Sequence, residues 1–376
     1  MKVLTVIGNR PQFIKAAAVS PLLRASTDRS ETARDASEPP RDEPPRDEEV
    51  MVHTGQHFDD ELSAIFFTEL GLASPERELG IALGSNADQT ARMLGALEPV
   101  LADVAPDVVL VYGDTNSTLA GALAGAQAGV PVAHVEAGMR SFDRSMPEEL
   151  NRTLTDHASS LLLCSSERAV LNLRREAVGA PIELVGDVMV DVGLAVQPRA
   201  RVRTDLVAAR GLQAGGYVLA TAHRTGNVDV ASRLERLVEL LLSLPSAVLL
   251  PLHPRTRSRL AAAGLLERLE RSERVVLTPP LGYVELAALL CNASAVLTDS
   301  GGLQKEAYLA GVRCVTLRPS TEWTETVEQG WNVLVDLDPR AALLALERPA
   351  PAARPTLYGD GHAGERVLGA LRLHFG

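Results

Sequence analysis

The chain reads as an α/β protein built from two doubly wound, Rossmann-like domains, and three observations predict this. Short β-rich apolar runs alternate with helical patterns, the alternating series runs twice, and the loops directly after the strands hold most of the chemistry-bearing residues. With 376 residues, 46% of them hydrophobic, the chain is long enough for two separate cores.

The first series begins with VLTVI and the helical IKAAAVSPLL, followed by the strand EVMVHT. VVLVYG leads into TLAGALAGAQAG, PVAHVE follows, SLLLCS leads into a helix through RAVLNLRREA, and IELVG closes the series. The second runs YVLATA, RLERLVELLLSL, AVLLPL, a helix near 258–271, VVLTP, VELAALLC, AVLTDS, LQKEAYLAG, RCVTLR, ETVEQG and NVLVD. The two series join near GDVMVDVG at 186–193. The expected division is 1–185, completed by the C-terminal helix 362–376, and 186–361.

Residues 26–49 fit neither series. They lack apolar periodicity, repeat PPRDE and contain four prolines, so they read as a disordered insertion whose deletion should leave activity intact. Nine acids against four arginines there contribute −5 of the formal net charge of −11, leaving −6 for the rest. At the N-terminus, MKVLTVIGNRPQF has too few apolar residues before Gly8 for a signal-peptide core or a membrane span, and it reads as the first strand. Cys164, Cys291 and Cys314 are odd in number and widely spaced, which suggests neither a disulfide framework nor a thiolate zinc site and fits a reducing cytoplasm. The acidic balance argues against a nucleic-acid partner. A small anionic substrate stays compatible with it, because local arginines and backbone N–H groups can oppose the global charge.

In open α/β sheets ligands bind beyond the carboxyl ends of the strands. After AVL, the segment TDSGGLQKEA opens a helix, so Ser300, Gly301 and Gly302 form a candidate phosphate site at a helix N-terminus, with Glu306 one turn on to accept from a ribose diol. GNRPQFIK has a similar form, with Pro11 at the helix start and Arg10 and Lys15 as candidate diphosphate cations; taken alone, either could be a solvated surface residue. No G-x-G-x-x-G and no P-loop occurs, so no cofactor is expected, and GALAGAQAG reads as close helix packing.

Asp114, Glu136 and Glu148 each follow a strand end in the first half and could converge on one ligand, with His223 and Arg224 contributed by the second half. Asp114 could equally cap the helix that begins near Ser117. His53 with His57, and His134 with Glu136, are the candidate metal pairs; neither has the spacing of a helical H-E-x-x-H, and no metal is expected. In AHVEAGMRSFDRSMPEELNR, Glu136 and Glu148 are the candidates for proton transfer, with Arg152 one turn after Glu148. Arg140, Asp143, Arg144 and Glu149 are assigned to loop ordering or solvent.

GNRPQFIKAA, HTGQHFDDELSAIFFTELGL, VYGDTNSTLAGALA, VPVAHVEAGMRSFDRSMPEELNRTLTD, TAHRTGN, TDSGGLQKEA and TEWTETVEQGWNVLV together resemble the non-hydrolysing UDP-N-acetylglucosamine 2-epimerases. The likeness spans nearly the whole chain outside 26–49. It implies a glycosyltransferase-B-like fold with the active site in the interdomain cleft, a homodimer, a UDP-sugar substrate, and interconversion of UDP-GlcNAc and UDP-ManNAc. It further implies that Ser300, Gly301, Gly302 and Glu306 hold UDP, and that Arg10, Lys15 and His223 lie near the diphosphate. Asp114, Glu136 and Glu148 match the acid–base carboxylates, and Arg152 the neighbouring arginine.

Two departures stand out. TEWTE puts Trp323 where many members have arginine in TERPE, and several motifs look more like the 2-epimerases of UDP-2,3-diacetamido-2,3-dideoxyglucuronate. Phe58, Asp59 and Asp60 follow Gln56 and His57 in place of the more usual basic or amide residues, which predicts weakened activation by a second UDP-GlcNAc. The competing readings are a hydrolysing 2-epimerase that releases ManNAc and UDP, and a glycosyltransferase or nucleotide-sugar-binding module on the same scaffold.

Overall fold

The computed structural model describes residues 1–28, 47–56 and 67–376, with the side chains of 26–28 excluded. The chain forms two compact units, residues 1–192 with 356–376 and residues 193–355. The first change of unit falls inside the helix Val188–Arg201.

The first unit carries strands β1 (Lys2–Ile7), β2 (Glu48–His53), β3 (Arg77–Glu78), β4 (Val108–Tyr112), β5 (Val132–Ala137), β6 (Leu161–Cys164) and β7 (Ile182–Leu184). They form one parallel sheet ordered β3-β2-β1-β4-β5-β6-β7. In the second unit, β8 (Tyr217–Thr221), β9 (Ala247–Pro251), β10 (Val275–Thr278), β11 (Ala295–Thr298), β12 (Arg313–Thr316) and β13 (Asn332–Leu334) form a parallel sheet ordered β10-β9-β8-β11-β12-β13. Strand order reverses between β1 and β4 and again between β8 and β11. The loops that leave those four strands therefore diverge to opposite faces, and each unit opens a crevice there.

The strands are apolar on both sides because helices cover both faces. On β8, Val218 and Ala220 enter one core with Leu237 and Leu250, while Tyr217 and Leu219 enter another with Leu289 and Leu303. The small-residue run GALAGAQAG lies on the helix Asn116–Gln127 and packs tightly on the sheet. A Cβ at Gly121 would lie 2.9 Å from Val111, and one at Gly125 would lie 2.9 Å from Val132.

Three local expectations need correction. IKAAAVSPLL forms two helices, Arg10–Ala16 and Ser20–Asp28, because Pro21 starts a new first turn where its missing N–H costs nothing. The stretch 258–271 also splits, into Pro254–Ala262 and Leu266–Glu270, at the left-handed Gly264. Both ends of the segment read as an insertion belong to regular elements. Its start continues the helix to Asp28, and at its other end Glu48 and Glu49 lie in β2. Burial of Glu49 is offset by a 2.7 Å hydrogen bond from Thr5, a hydrogen bond from Ser20 and a 2.8 Å ion pair with Arg24. The rest of that segment, 29–46, and the stretch with His57, Phe58, Asp59 and Asp60 lie outside the described residues.

The C-terminal helix Ala363–Phe375 belongs to the first unit. Asp191 accepts from the amides of Ala363 and Gly364 at its start, and Arg372 reaches the buried Asp47 at 2.6 Å near its end.

Candidate active site

In the first unit the crevice is built from the loops after β1, β2, β4 and β5. Asn9 caps the helix Arg10–Ala16 by accepting from the Gln12 amide. The buried Gln12 side chain then joins two loops: it accepts from Gly8 N–H at 2.7 Å and donates to the Tyr112 carbonyl at 2.9 Å and to Thr118 at 3.0 Å. Gly8 has to be glycine, since a Cβ would collide with Ser117 and Thr54. Gln56 accepts from both the amide and the hydroxyl of Ser117, which ties the β2 loop to the β4 loop.

That frame carries the carboxylates. Glu136 lies at the carboxyl end of β5 with φ of 71°, in the left-handed region that non-glycine residues rarely enter, where the β5–β6 register shifts. Such strain persists only where the surroundings hold it, and it concentrates at functional sites. The Lys15 ammonium pairs with the Glu136 carboxylate, and the side chains are only 9% and 10% exposed. The expected diphosphate cation Lys15 is therefore engaged with an expected proton-transfer carboxylate. Arg10, the first residue of its helix, is half-buried.

Asp114 pairs with the buried Arg152, whose Nη1 is 3.1 Å from Glu149. Glu149 also accepts from Ser141 N–H at 2.9 Å and Phe142 N–H at 3.0 Å, which orders the loop after β5. Thr115, not Asp114, caps the helix Asn116–Gln127 through a capping box with Thr118, so the capping alternative for Asp114 is overturned. Glu148 occupies the first turn of the helix Pro147–Ala158 and is half-buried. The first unit thus holds Lys15 with Glu136 and Asp114 with Arg152 in two ion pairs, and Glu149, assigned to loop ordering, orders the loop after β5 and also pairs with Arg152.

In the second unit the same topological position holds His223, Asp299 and Ser300. The buried Asp299 accepts from the amides of His223 and Arg224 at 3.1 and 3.0 Å and from the Asn227 amide group at 3.0 Å. The His223 ring stacks on His253 and has Nδ1 3.6 Å from Asp299. Ser300 caps the helix Gly301–Ala310, with Gly301 and Gly302 in its first turn. A Cβ at Gly301 would strike the Glu322 carboxylate, while Gly302 leaves its side open. Trp323 is buried and has the Lys305 ammonium 4.3 Å from its ring centroid, so the tryptophan of TEWTE makes a cation–π contact. Glu306 lies further along, half-buried beside Gln197, Tyr283 and Cys291.

Both imidazole nitrogens of His134 are hydrogen-bonded to protein acceptors. Among the described residues no group of three or more His, Cys, Asp or Glu side chains is arranged to hold a metal, and no helix is long and apolar enough to cross a membrane.

A profile of the family described as UDP-N-acetylglucosamine 2-epimerase matches residues 42–372. The chain belongs to the UDP-N-acetylglucosamine 2-epimerase family. It is 44% identical, over 98% of both chains, to a UDP-2,3-diacetamido-2,3-dideoxy-D-glucuronate 2-epimerase of Pseudomonas aeruginosa. It is 39% identical, over 99% of both chains, to a UDP-N-acetylglucosamine 2-epimerase of Methanocaldococcus jannaschii. A crystal structure of the Methanocaldococcus jannaschii UDP-GlcNAc 2-epimerase in complex with UDP-GlcNAc and UDP matches with a TM-score of 0.87 and 38% identity, covering 99% of this chain and all of that one. The family is one of epimerases, and the chain is accordingly an isomerase with two Rossmann-like, glycosyltransferase-B-like domains.

Of the residues that build these crevices, Gln12, Asp299 and Lys305 escaped sequence reasoning. Asp299 and Lys305 stand within the quoted TDSGGLQKEA, and Gln12 one helical turn after the start of GNRPQ. The only signal was a polar residue beside a motif already singled out.

Proposed function

We propose that the enzyme interconverts UDP-GlcNAc and UDP-ManNAc without net hydrolysis. C2 of a UDP-sugar is not adjacent to a carbonyl, so its proton cannot leave by simple enolisation. Elimination solves this: a carboxylate takes the C2 proton, the C–H electron pair forms a C1–C2 double bond, and the C1–O bond breaks with its electrons going to UDP. The products are 2-acetamidoglucal and UDP. Return of UDP to C1, with a proton delivered to the opposite face of C2, gives the epimer.

Two faces require more than one acid–base group. Asp114, Glu136 and Glu148 are the proposed set, and the observation that carries the reading is that the Lys15–Glu136 and Asp114–Arg152–Glu149 ion pairs stand at the carboxyl ends of the adjacent strands β1, β4 and β5. The departing diphosphate needs cations and backbone donors. Ser300, Gly301 and Gly302 at their helix start, with His223, Arg10, Lys15 and Arg152, are proposed for that role, and Glu306 for the ribose. The enzyme is proposed to act in the cytoplasm as a homodimer with no cofactor.

A second substrate, UDP-2,3-diacetamido-2,3-dideoxyglucuronate, is favoured by the 44% identity to the Pseudomonas aeruginosa enzyme named for it. Product analysis separates these readings. Conversion of UDP-GlcNAc to an equilibrium mixture with UDP-ManNAc supports the first, turnover of the diacetamido-glucuronate alone supports the second, and steady accumulation of free ManNAc and UDP refutes both in favour of hydrolysis.

A further inference from the structure

His134 is fully buried on β5, two residues before Glu136. Its Nδ1 is 2.7 Å from Asp156 Oδ1 and its Nε2 is 2.7 Å from the Gly113 carbonyl oxygen. A carbonyl oxygen only accepts, so Nε2 must carry hydrogen. Asp156 accepts from Gly138 N–H at 3.2 Å and pairs with Arg140 at 2.7 Å, which are the contacts of a carboxylate, so Nδ1 must carry hydrogen as well.

We infer that His134 is a positioning residue of the proposed epimerase site, held as an imidazolium that pins the Gly113 carbonyl and so fixes the Asp114 turn against Glu136. The inference rests on the acid–base reading above. Gly113 is the point where these groups meet. Its N–H donates to the Val135 carbonyl at 3.0 Å, its carbonyl accepts from His134, and its φ is 68°. A Cβ there would lie 2.7 Å from the Lys15 ammonium nitrogen and 3.3 Å from the Glu136 carboxylate. The next residue is Asp114, so any release of the Gly113 carbonyl moves one proposed acid–base group relative to another.

The surrounding charges suit a cation. Asp156 faces the ring from the helix Pro147–Ala158; Arg140, after β5, lies beyond it and pairs with Glu176 at 2.6 Å. With His134 charged, two cations balance two carboxylates. Cys164 on β6 contributes no charge, because burial first, and then Asp156, push its thiol up to about 12. On the far side of Gly113, Lys15 is neutralised by Glu136. Burial would raise Asp156, but the hydrogen bond and charge of His134 and the pairing with Arg140 outweigh it and hold the carboxyl below its ordinary value. Loss of the ring proton would turn a lone pair toward the Gly113 oxygen and free the turn.

The test uses the full chain labelled with ¹⁵N-histidine, together with His134→Gln and Asp156→Asn. Both His134 ring nitrogens should resonate as protonated at neutral pH. His134→Gln should lower kcat on the order of 10²-fold by displacing the turn, with KM near wild type. Asp156→Asn, which removes the carboxylate that faces Nδ1, should lower kcat in the same direction, again with KM near wild type. One unprotonated ring nitrogen in the wild type overturns the inference, as does a His134→Gln enzyme with unchanged kcat. If His134→Gln does not fold, the ¹⁵N spectrum and the Asp156→Asn kinetics still decide. A wild-type chain inactive on every UDP-HexNAc would refute the proposed function, while the ¹⁵N reading would still stand or fall by itself.

Discussion

The ion pair between Lys15 and Glu136 is the most consequential single contact in the first unit, and Lys15→Met perturbs it directly. The two side chains are 9% and 10% exposed, so neither charge is well solvated. Replacing the lysine takes the ammonium away from a largely buried carboxylate, which for pairs of this kind costs about 3–5 kcal/mol. Stability in a unit of this size shifts by roughly 2–4 °C per kcal/mol, so the apo protein should lose roughly 6–20 °C. The double variant Lys15→Met/Glu136→Gln removes both charges while keeping similar volume, and such replacements are often close to neutral. It should recover most of the lost stability and none of the activity. Differential scanning calorimetry of wild type, the two single variants and the double variant closes the cycle. A Lys15→Met protein within about 1 kcal/mol of wild type, or a double variant as unstable as the sum of the singles, would refute the claim that the pair is a desolvated, coupled unit.

Other consequences follow from the same geometry. Asp114→Asn and Glu148→Gln should each reduce kcat by about 10²–10⁴-fold with the fold intact, since each removes a proposed proton-transfer group; steady-state kinetics beside circular dichroism reads this. Asp156 has a depressed folded-state pKa, so its stabilising contribution is complete above the ordinary carboxylate value of 3.8 and is lost as pH falls through the lower folded value. Chemical denaturation at pH 7 and pH 3 should therefore show a smaller difference for Asp156→Asn than for wild type. Burial pushes the thiols of Cys164 and Cys314 up to about 12, while Cys291 is only partly buried. Iodoacetamide on the native protein at pH 8 should label Cys291 before the other two, as read by mass spectrometry.

Much of this architecture was legible because it depends on local pattern. Val218 and Ala220 face one core while Tyr217 and Leu219 face the other, so a continuous apolar run marked a strand covered on both sides. The candidate residues of the site were legible for a related reason: Glu136 lies at the carboxyl end of β5, and Asp114 and Ser300 lie just after β4 and β11, where topology puts ligand-binding loops. Partnerships were not legible. That Lys15 meets Glu136, or that Asp114 meets Arg152 instead of capping its own helix, depends on β1, β4 and β5 lying side by side, and periodicity does not report sheet order. Gln12 was passed over because it acts on a carbonyl far along the chain, and a side chain that serves a distant backbone group has no signature in its own neighbourhood; Glu149, assigned to loop ordering, does accept from the nearby amides of Ser141 and Phe142. His134 drew attention as half of a metal-like pair with Glu136, and the structure gives both of its nitrogens to protein acceptors.

The proposed chemistry makes one demand that no hydrolytic or transferase reading shares: the proton on C2 must exchange with solvent while the sugar returns to UDP. Incubation of the enzyme with UDP-GlcNAc in deuterium oxide, followed by NMR of the nucleotide-sugar pool, measures this directly. Deuterium is expected at C2 of the UDP-ManNAc formed, with UDP still attached and no net gain of free ManNAc. Protium retained at C2 in the epimerised product would contradict it.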